Sequence, residues 1–463
     1  MNKEVKYEKK EIYSALNKTE QKAMYDYCDN YMHFLNQCKT EYKCVEYTEK
    51  LLKANGFVNL ETKKTLSYMD KVYFINKERA IFAAVIGEEP LVSGVNIVGA
   101  HIDSPRLDTK PMPLIESQNI AMMKTQYYGG IKQYQWLTIP LALYAVIYTA
   151  SGEKLNIVIG EKEDDPVFTI ADLLPHLGRE ELEKKARDFI DPENLNVIVG
   201  STKLKGEDKN AVKAQVLKLL NEKYNIQEID FARSDIRFVP AFKARYVGLD
   251  KGIIASYGQD DKVCSYASIS AMLSLGDKVS KTAIMLLVDK EEIGSTGNSS
   301  MSSESFELFM KELMYKSKET LDLSLALNKC LYNSKMLSAD VSAAVDPMHT
   351  EVSDIQNGNI LGHGVSIEKY TGSGGKYSAS EATAKYMSYV MSIFDKNKIS
   401  YQIGTLGKIG KGGGGTIAYI LADKGVDVVD CGTAVLSMHS PYELASVADV
   451  YMTAKAYTAF LKG

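Results

Sequence analysis

The 463-residue chain is short of several things, and each shortage excludes a class of function. It has no excess of cations: 55 Lys and Arg stand against 59 Asp and Glu, a formal net charge of −4. A general nucleic-acid binder is therefore excluded, because neutralising phosphates takes a basic face. It has no apolar run long enough to cross a bilayer. The most apolar stretch, Trp136 to Ala150, is too short and is broken by Pro140 and Tyr144. The opening MNKEVKYEKKEIYSALNK is charged and has no apolar core, so no secretory leader is read there and the expected address is the cytoplasm. Cysteines are few and scattered (Cys28, Cys38, Cys44, Cys264, Cys330, Cys431), with no C-x-x-C pair, and read as reduced, buried thiols. Histidines are equally few: His33, His101, His176, His349, His363 and His439. Any metal or acid–base chemistry has little imidazole to draw on.

What is present belongs to an ordinary folded protein, 45% hydrophobic and 25% charged. The length implies several domains, or one large core with an insertion. Near the N-terminus, Met24, Tyr27, Tyr31, Leu35 and Cys38 fall on one side of a helical pattern that runs from Lys9 to a stop at Gly56. KVYFINKERAIFAAVIG (71–87) reads as a hairpin. GVNIVGAHID (94–103) is almost wholly apolar and ends in polar residues, the pattern of a buried central strand. The stretch 112–245 has a different texture, with two strands joined at Ser151-Gly152 and then a Lys- and Glu-rich helical segment over 178–226; it reads as an insertion. Buried strand patterns resume from Gly252 and alternate with helices. The predicted fold class is therefore α/β, a three-layer domain with a mixed central sheet split into 1–111 and 246–463, plus an inserted β-rich domain over 112–245.

Five of the apolar runs carry acids or histidine at or near their ends: His101-Ile102-Asp103, Asp260-Asp261, Asp289 to Glu292, Asp340, and His439. Ligands of open α/β sheets bind outside the carboxyl ends of strands. Carboxylates gathered there repel one another unless a cation neutralises them. Two histidines with a ring of carboxylates suit zinc, manganese or cobalt. Each cluster alone has a plainer reading: a surface His-x-Asp pair, an Asx-turn or helix cap at Asp260-Asp261, a solvated edge at Glu291-Glu292, a core histidine at 439. Asp340 is harder to dismiss, since an unpaired acid within an apolar strand is costly. Their joint occurrence is what carries weight.

AHIDSPRLDTKP, YGQDDKV, VDKEEIGSTG, LSADVSAAVDP and LSMHSPYE together resemble the aspartyl aminopeptidase family, within the clan of two-zinc exopeptidases. The likeness runs over nearly the whole chain and in order. It implies a metal-dependent aminopeptidase that hydrolyses N-terminal residues from peptides, with two divalent ions per subunit, zinc first and manganese or cobalt as alternatives. It implies Asp260 bridging both ions, His101 and Asp340 completing one site, and Glu292 and His439 the other. Asp103 would hold the His101 ring, and Glu291 would be the general base that takes a proton from the attacking water. It further implies a cis peptide between Asp260 and Asp261, a homo-oligomer in which dimers joined through the insertion assemble to a dodecamer, and no membrane or nucleic-acid partner. His176 resembles a histidine lent to a neighbouring subunit's site, with an ordinary exposed histidine as the alternative. Lys369 resembles a lysine near the specificity pocket, with a solvated loop lysine as the alternative.

The chain also departs from that family's pattern. Tyr442 stands where many members have Arg, and Ala343 and Asp346 stand where histidines are usual. Preference for N-terminal Asp or Glu therefore does not follow. The glycine-rich GKIGKGGGG (407–415) lacks the spacing of a phosphate loop. Rival readings are a carboxypeptidase or deacylase of the same clan, or a catalytically silent assembly protein of the same fold.

Overall fold

The computed structural model describes residues 7–372 and 380–463. The chain divides into two compact units, Met1–Asp103 with Ala244–Met438 and Tyr442–Gly463, and Ser104–Lys243 with His439–Pro441.

The larger unit is built on a nine-stranded mixed sheet. In chain order its strands are β1 (Val58–Asn59), β2 (Lys71–Asn76), β3 (Ala80–Val85), β4 (Asn96–His101), β5 (Ala283–Val288), β6 (Lys335–Ser338), β7 (Val365–Glu368), β8 (Tyr401–Gly404) and β9 (Asp427–Gly432). In space they lie β1-β2-β3-β5-β4-β6-β9-β7-β8. The central four, β5, β4, β6 and β9, are mutually parallel. Both faces of these strands are covered, which is why they read as unbroken apolar runs. Val98, Ala100, Met285, Leu287, Leu337 and Val429 pack toward helices Lys18–Gln37, Gln259–Leu273 and Val447–Lys462. Ile97, Ile284, Leu286, Val288, Met336 and Val428 pack toward helices Ser305–Lys316, Leu323–Asn333 and Ala418–Ala422. The period-2 alternation of strand side chains divides one apolar run between two cores. A five-stranded sheet (Arg245–Val247, Ile253–Ser256, Glu443–Ser446, Ala434–Leu436, Ser342–Ala343) completes the unit.

The smaller unit is a six-stranded antiparallel sheet, ordered Lys154–Ile159, Leu141–Tyr148, Ser234–Pro240, Arg106–Ser117, Ile120–Tyr128, Val197–Gly200. Its 178–226 stretch is less helical than its Lys and Glu content suggests. Only Arg179–Leu182 and Ala211–Tyr224 are α-helical. Pro192 keeps Asp191 extended (ψ 120°), and 197–200 pairs with the sheet instead. Likewise the N-terminal helical pattern is two helices, Lys18–Gln37 and Glu41–Ala54. Thr40, at φ −128° and ψ 157°, is extended and separates them.

Candidate metal and active site

Strand register assembles the site. Val288 of β5 pairs with His101 of β4, and Ser338 of β6 pairs with Gly99. The turn 289–292 therefore leaves the sheet beside His101, and Asp340, two residues past Ser338, stands level with it. Asp340 itself lies between β6 and the short strand Ser342–Ala343 rather than inside a strand. Asp260 and Asp261 open the helix Gln259–Leu273 with non-helical dihedrals, joined by a cis peptide bond as expected from the resemblance. Glu443 Oε2 accepts the backbone N–H of Asp260 at 3.0 Å.

Within the larger unit these acids converge on one imidazole. His101 Nε2 is 3.1 Å from Asp260 Oδ1, 3.7 Å from Asp340 Oδ1 and 4.0 Å from Glu291 Oε2. Three sets place their donor atoms within 4.8 Å of one another: His101, Asp260 and Glu292; His101, Glu291 and Asp340; Asp260, Asp261 and Asp340. Asp103, fully buried, accepts the backbone N–H of Glu291 on Oδ1 and that of Glu292 on Oδ2, both at 3.2 Å. Its Oδ1 is also 3.4 Å from His101 Nδ1. Asp103 thus serves both features: its backbone carbonyl, 3.1 Å from Nδ1, and its carboxylate face the imidazole, and that carboxylate holds the tight turn carrying the two glutamates, which starts from Lys290 in the left-handed region (φ 68°).

The electrostatics are those of crowded anions. Burial raises the Glu291 pKa, Asp340, Asp103 and Asp260 add to it, His101 opposes it, and the result is about 8. Asp261 is raised too, by burial first and then by Asp340. Burial alone would lower His101, but hydrogen bonds to Asp103, Asp260 and Asp340 outweigh it and hold its pKa well above the ordinary value. The same crowding of anions would favour a divalent cation at the ring nitrogen, and a bound dication would in turn favour the carboxylates as anions. Buried oxygen donors around one imidazole nitrogen are the chemistry that zinc and manganese accept, so the residues fit a divalent metal.

His439 groups with the smaller unit; it has φ 66°, and its Nδ1 donates to Gly130 O at 2.8 Å. That bond fixes the tautomer and makes Nε2 the basic nitrogen of the neutral ring. His176 is exposed in a turn of the smaller unit. Lys369 follows β7 in the larger unit, its Nζ 5.1 Å from the ring centre of Tyr370; residues 373–379 of its segment lie outside those described. Two buried acids beside the cluster escaped the sequence reading, Glu368 and Asp430. Asp430 carries the signal that marked Asp340, an acid within an apolar run (VDVVDCGTAVL), and would have been found by it.

Residues 34–461 match the family described as aminopeptidase I zinc metalloprotease (M18). A probable M18 family aminopeptidase 1 of Borrelia garinii subsp. bavariensis is 44% identical over 449 residues, 97% of this chain and 98% of the relative. A crystal structure of an M18 aminopeptidase from Thermotoga maritima superposes with a TM-score of 0.95 at 42% identity, covering 99% of this chain and 100% of that one. A Saccharomyces cerevisiae mApe1 dodecamer shares the fold at 20% identity, with a TM-score of 0.75 over 94% of this chain and 96% of that one.

Proposed function

Because the chain belongs to the M18 family of aminopeptidase I zinc metalloproteases, and is a metalloaminopeptidase by that membership, we propose that the His101–carboxylate cluster is its peptide-hydrolysing centre. In this reading Asp260, together with His101 and Asp340 for one site and Glu292 and His439 for the other, would hold two divalent ions, zinc first. When bound, such ions lower the pKa of water and polarise the scissile carbonyl. Glu291 takes the proton of the attacking water and returns it to the departing amine nitrogen, so that one N-terminal residue leaves per cycle. Asp103 keeps Glu291 aimed, through the Glu291 N–H, while the adjacent N–H of Glu292 is held by its other oxygen.

The observation that carries this reading is the meeting of buried His101 and Asp260 with half-buried Glu291, Glu292 and Asp340 in one cluster at the carboxyl ends of parallel strands. The test is Glu291→Gln, which keeps size and removes the base. Hydrolysis of aminoacyl-nitroanilides should fall by roughly 100- to 10,000-fold while zinc content, measured by atomic emission, stays at the wild-type level. Wild-type turnover in a zinc-loaded Glu291→Gln protein overturns the assignment.

The same proposal makes the smaller unit a dimerisation element within a dodecamer. Support comes from its surface: Leu173, Leu174, Leu177 and Leu182 are exposed, the last two at 70%, an apolar display that lone monomers rarely keep. A sedimentation mass of a monomer at micromolar concentration would count against it. His176 is assigned to a neighbouring subunit's site and Lys369 to the specificity pocket. The address is the cytoplasm, which suits six buried, unbridged cysteines. Among the described residues no helix is long and apolar enough to cross a membrane.

A further inference from the structure

Behind Asp340 lie two carboxylates that the reaction does not use. Glu368 ends β7 and Asp430 lies in β9, and the two residues are direct partners across those antiparallel strands. Each is about 5% exposed, and each accepts hydrogen bonds from hydroxyl or amide donors. Glu368 Oε1 accepts the hydroxyl of Ser342 and the amide of Asn359, the latter at 3.1 Å. Asn359 in turn donates to Ser342 Oγ at 2.6 Å and accepts from Ser366 at 2.8 Å. Asp430 accepts the hydroxyls of Thr416 at 2.6 Å and Thr371 at 3.0 Å, and the Ser338 hydroxyl in turn donates to Thr416 Oγ1 at 3.4 Å, so that Asp430 reaches Ser338 through Thr416.

The spacing of the two anchored serines is the point. Ser338 stands two residues before Asp340 and Ser342 two residues after it, and both are fully or almost fully buried. Asp340 itself sits between the end of β6 and the short strand Ser342–Ala343. From behind, a Cβ on Gly432 would come 1.9 Å from the Asp340 carbonyl oxygen, so the β9 backbone is in close contact with this segment.

We infer that Glu368 and Asp430 are positioning residues that clamp the Asp340 segment from its two flanks, Ser338 and Ser342, so that its carboxylate is presented to a metal ion. The inference rests on the reading of Asp340 as a ligand. Carboxylates that orient metal ligands indirectly typically change metal affinity by about 10- to 100-fold when lost.

The test compares Glu368→Gln and Asp430→Asn with Asp449→Asn in the intact protein. Asp449 is a matched control: it is equally buried, and it accepts Gly362 N–H and Gly364 N–H at 2.7 Å each, at the opposite end of β7. Zinc affinity is read by competition with a chromogenic chelator, and folding by thermal melting. The clamp predicts that all three variants melt lower, but that only Glu368→Gln and Asp430→Asn bind zinc about 10- to 100-fold more weakly. Should those two fail to fold, Ser338→Ala and Ser342→Ala remove one hydroxyl apiece and should weaken zinc in the same direction. Zinc affinity within twofold of wild type in the clamp variants, or an equal loss in Asp449→Asn, overturns the inference. A wild-type protein that binds no zinc, manganese or cobalt would instead overturn the reading of the site beneath it.

Discussion

Asp103→Asn is the substitution whose consequence is most tightly set by geometry. Asp103 is fully buried, and its two oxygens receive the N–H groups of Glu291 and Glu292 at 3.2 Å while Oδ1 also faces His101 Nδ1 at 3.4 Å. An asparagine fills the same space but offers one oxygen and one NH2. Whichever way the amide turns, a donor meets a donor at one of the two glutamates, and the charge that favours both bonds is gone. A hydrogen bond to a charged group contributes about 1.5–3 kcal/mol, and leaving its buried partner unmatched costs a similar amount. If that loss falls on the turn carrying Glu291, it corresponds to roughly a 10- to 150-fold fall in kcat at about 1.4 kcal/mol per tenfold. The assay is steady-state hydrolysis of an aminoacyl-nitroanilide at saturating zinc, with kcat and KM resolved separately. A fall in kcat with KM nearly unchanged is expected, because Asp103 acts on the base and the ligand turn rather than on the peptide. An Asp103→Asn protein with kcat within threefold of wild type would refute the claim that this carboxylate sets the turn.

Chelation should abolish hydrolysis, and added zinc, manganese or cobalt should restore it; activity that survives exhaustive dialysis against chelator would contradict the metal assignment. Gly432→Ala should cost about 3 kcal/mol or more of stability, at the upper end of overpacking, because its Cβ would meet Asp340 O at 1.9 Å and Cys264 Sγ at 3.0 Å; an unchanged melting temperature would show that the Asp340 segment yields freely. Burial raises Asp449 to about 7 from an ordinary 3.8, against the pull of backbone hydrogen bonds from Gly362, Gly364 and His363. A folded-state pKa above the unfolded one means that the native protein binds the extra proton, so this group's contribution to stability declines as pH rises from about 4 to about 7. The difference corresponds to about 4 kcal/mol at most. Melting curves of wild type and Asp449→Asn should therefore draw closer together, or cross, as pH rises through that window, and a constant offset would count against the assignment.

The fold was legible in the sequence wherever burial wrote a simple pattern. The hairpin 71–87 and the central strands showed as apolar runs because both faces of the sheet are covered, and the end of each run marked the edge where His101, Glu291, Glu292 and Asp340 meet. Elsewhere local composition misled. Lys and Glu content over 178–226 promised a long helix, whereas Pro192 and the pairing of 197–200 with the sheet decide the backbone there. The harder case is Asp430, which is as isolated in its apolar run as Asp340 and yet does something different. Composition cannot separate the two, since each is an acid whose burial is costly unless partners are supplied. Their places along the strands separate them. Asp430 lies inside β9, so the strand directs its carboxylate to hydroxyls of neighbouring segments. Asp340 lies two residues past the end of β6, beyond the ladder, among carboxylates and a histidine. A buried acid within a strand must find neutral donors, while one just past a strand's carboxyl end can join other acids around a cation. The boundary between those fates is a strand end, and hydropathy blurs it here because Ala339 and Val341 on either side of Asp340 are both buried and apolar.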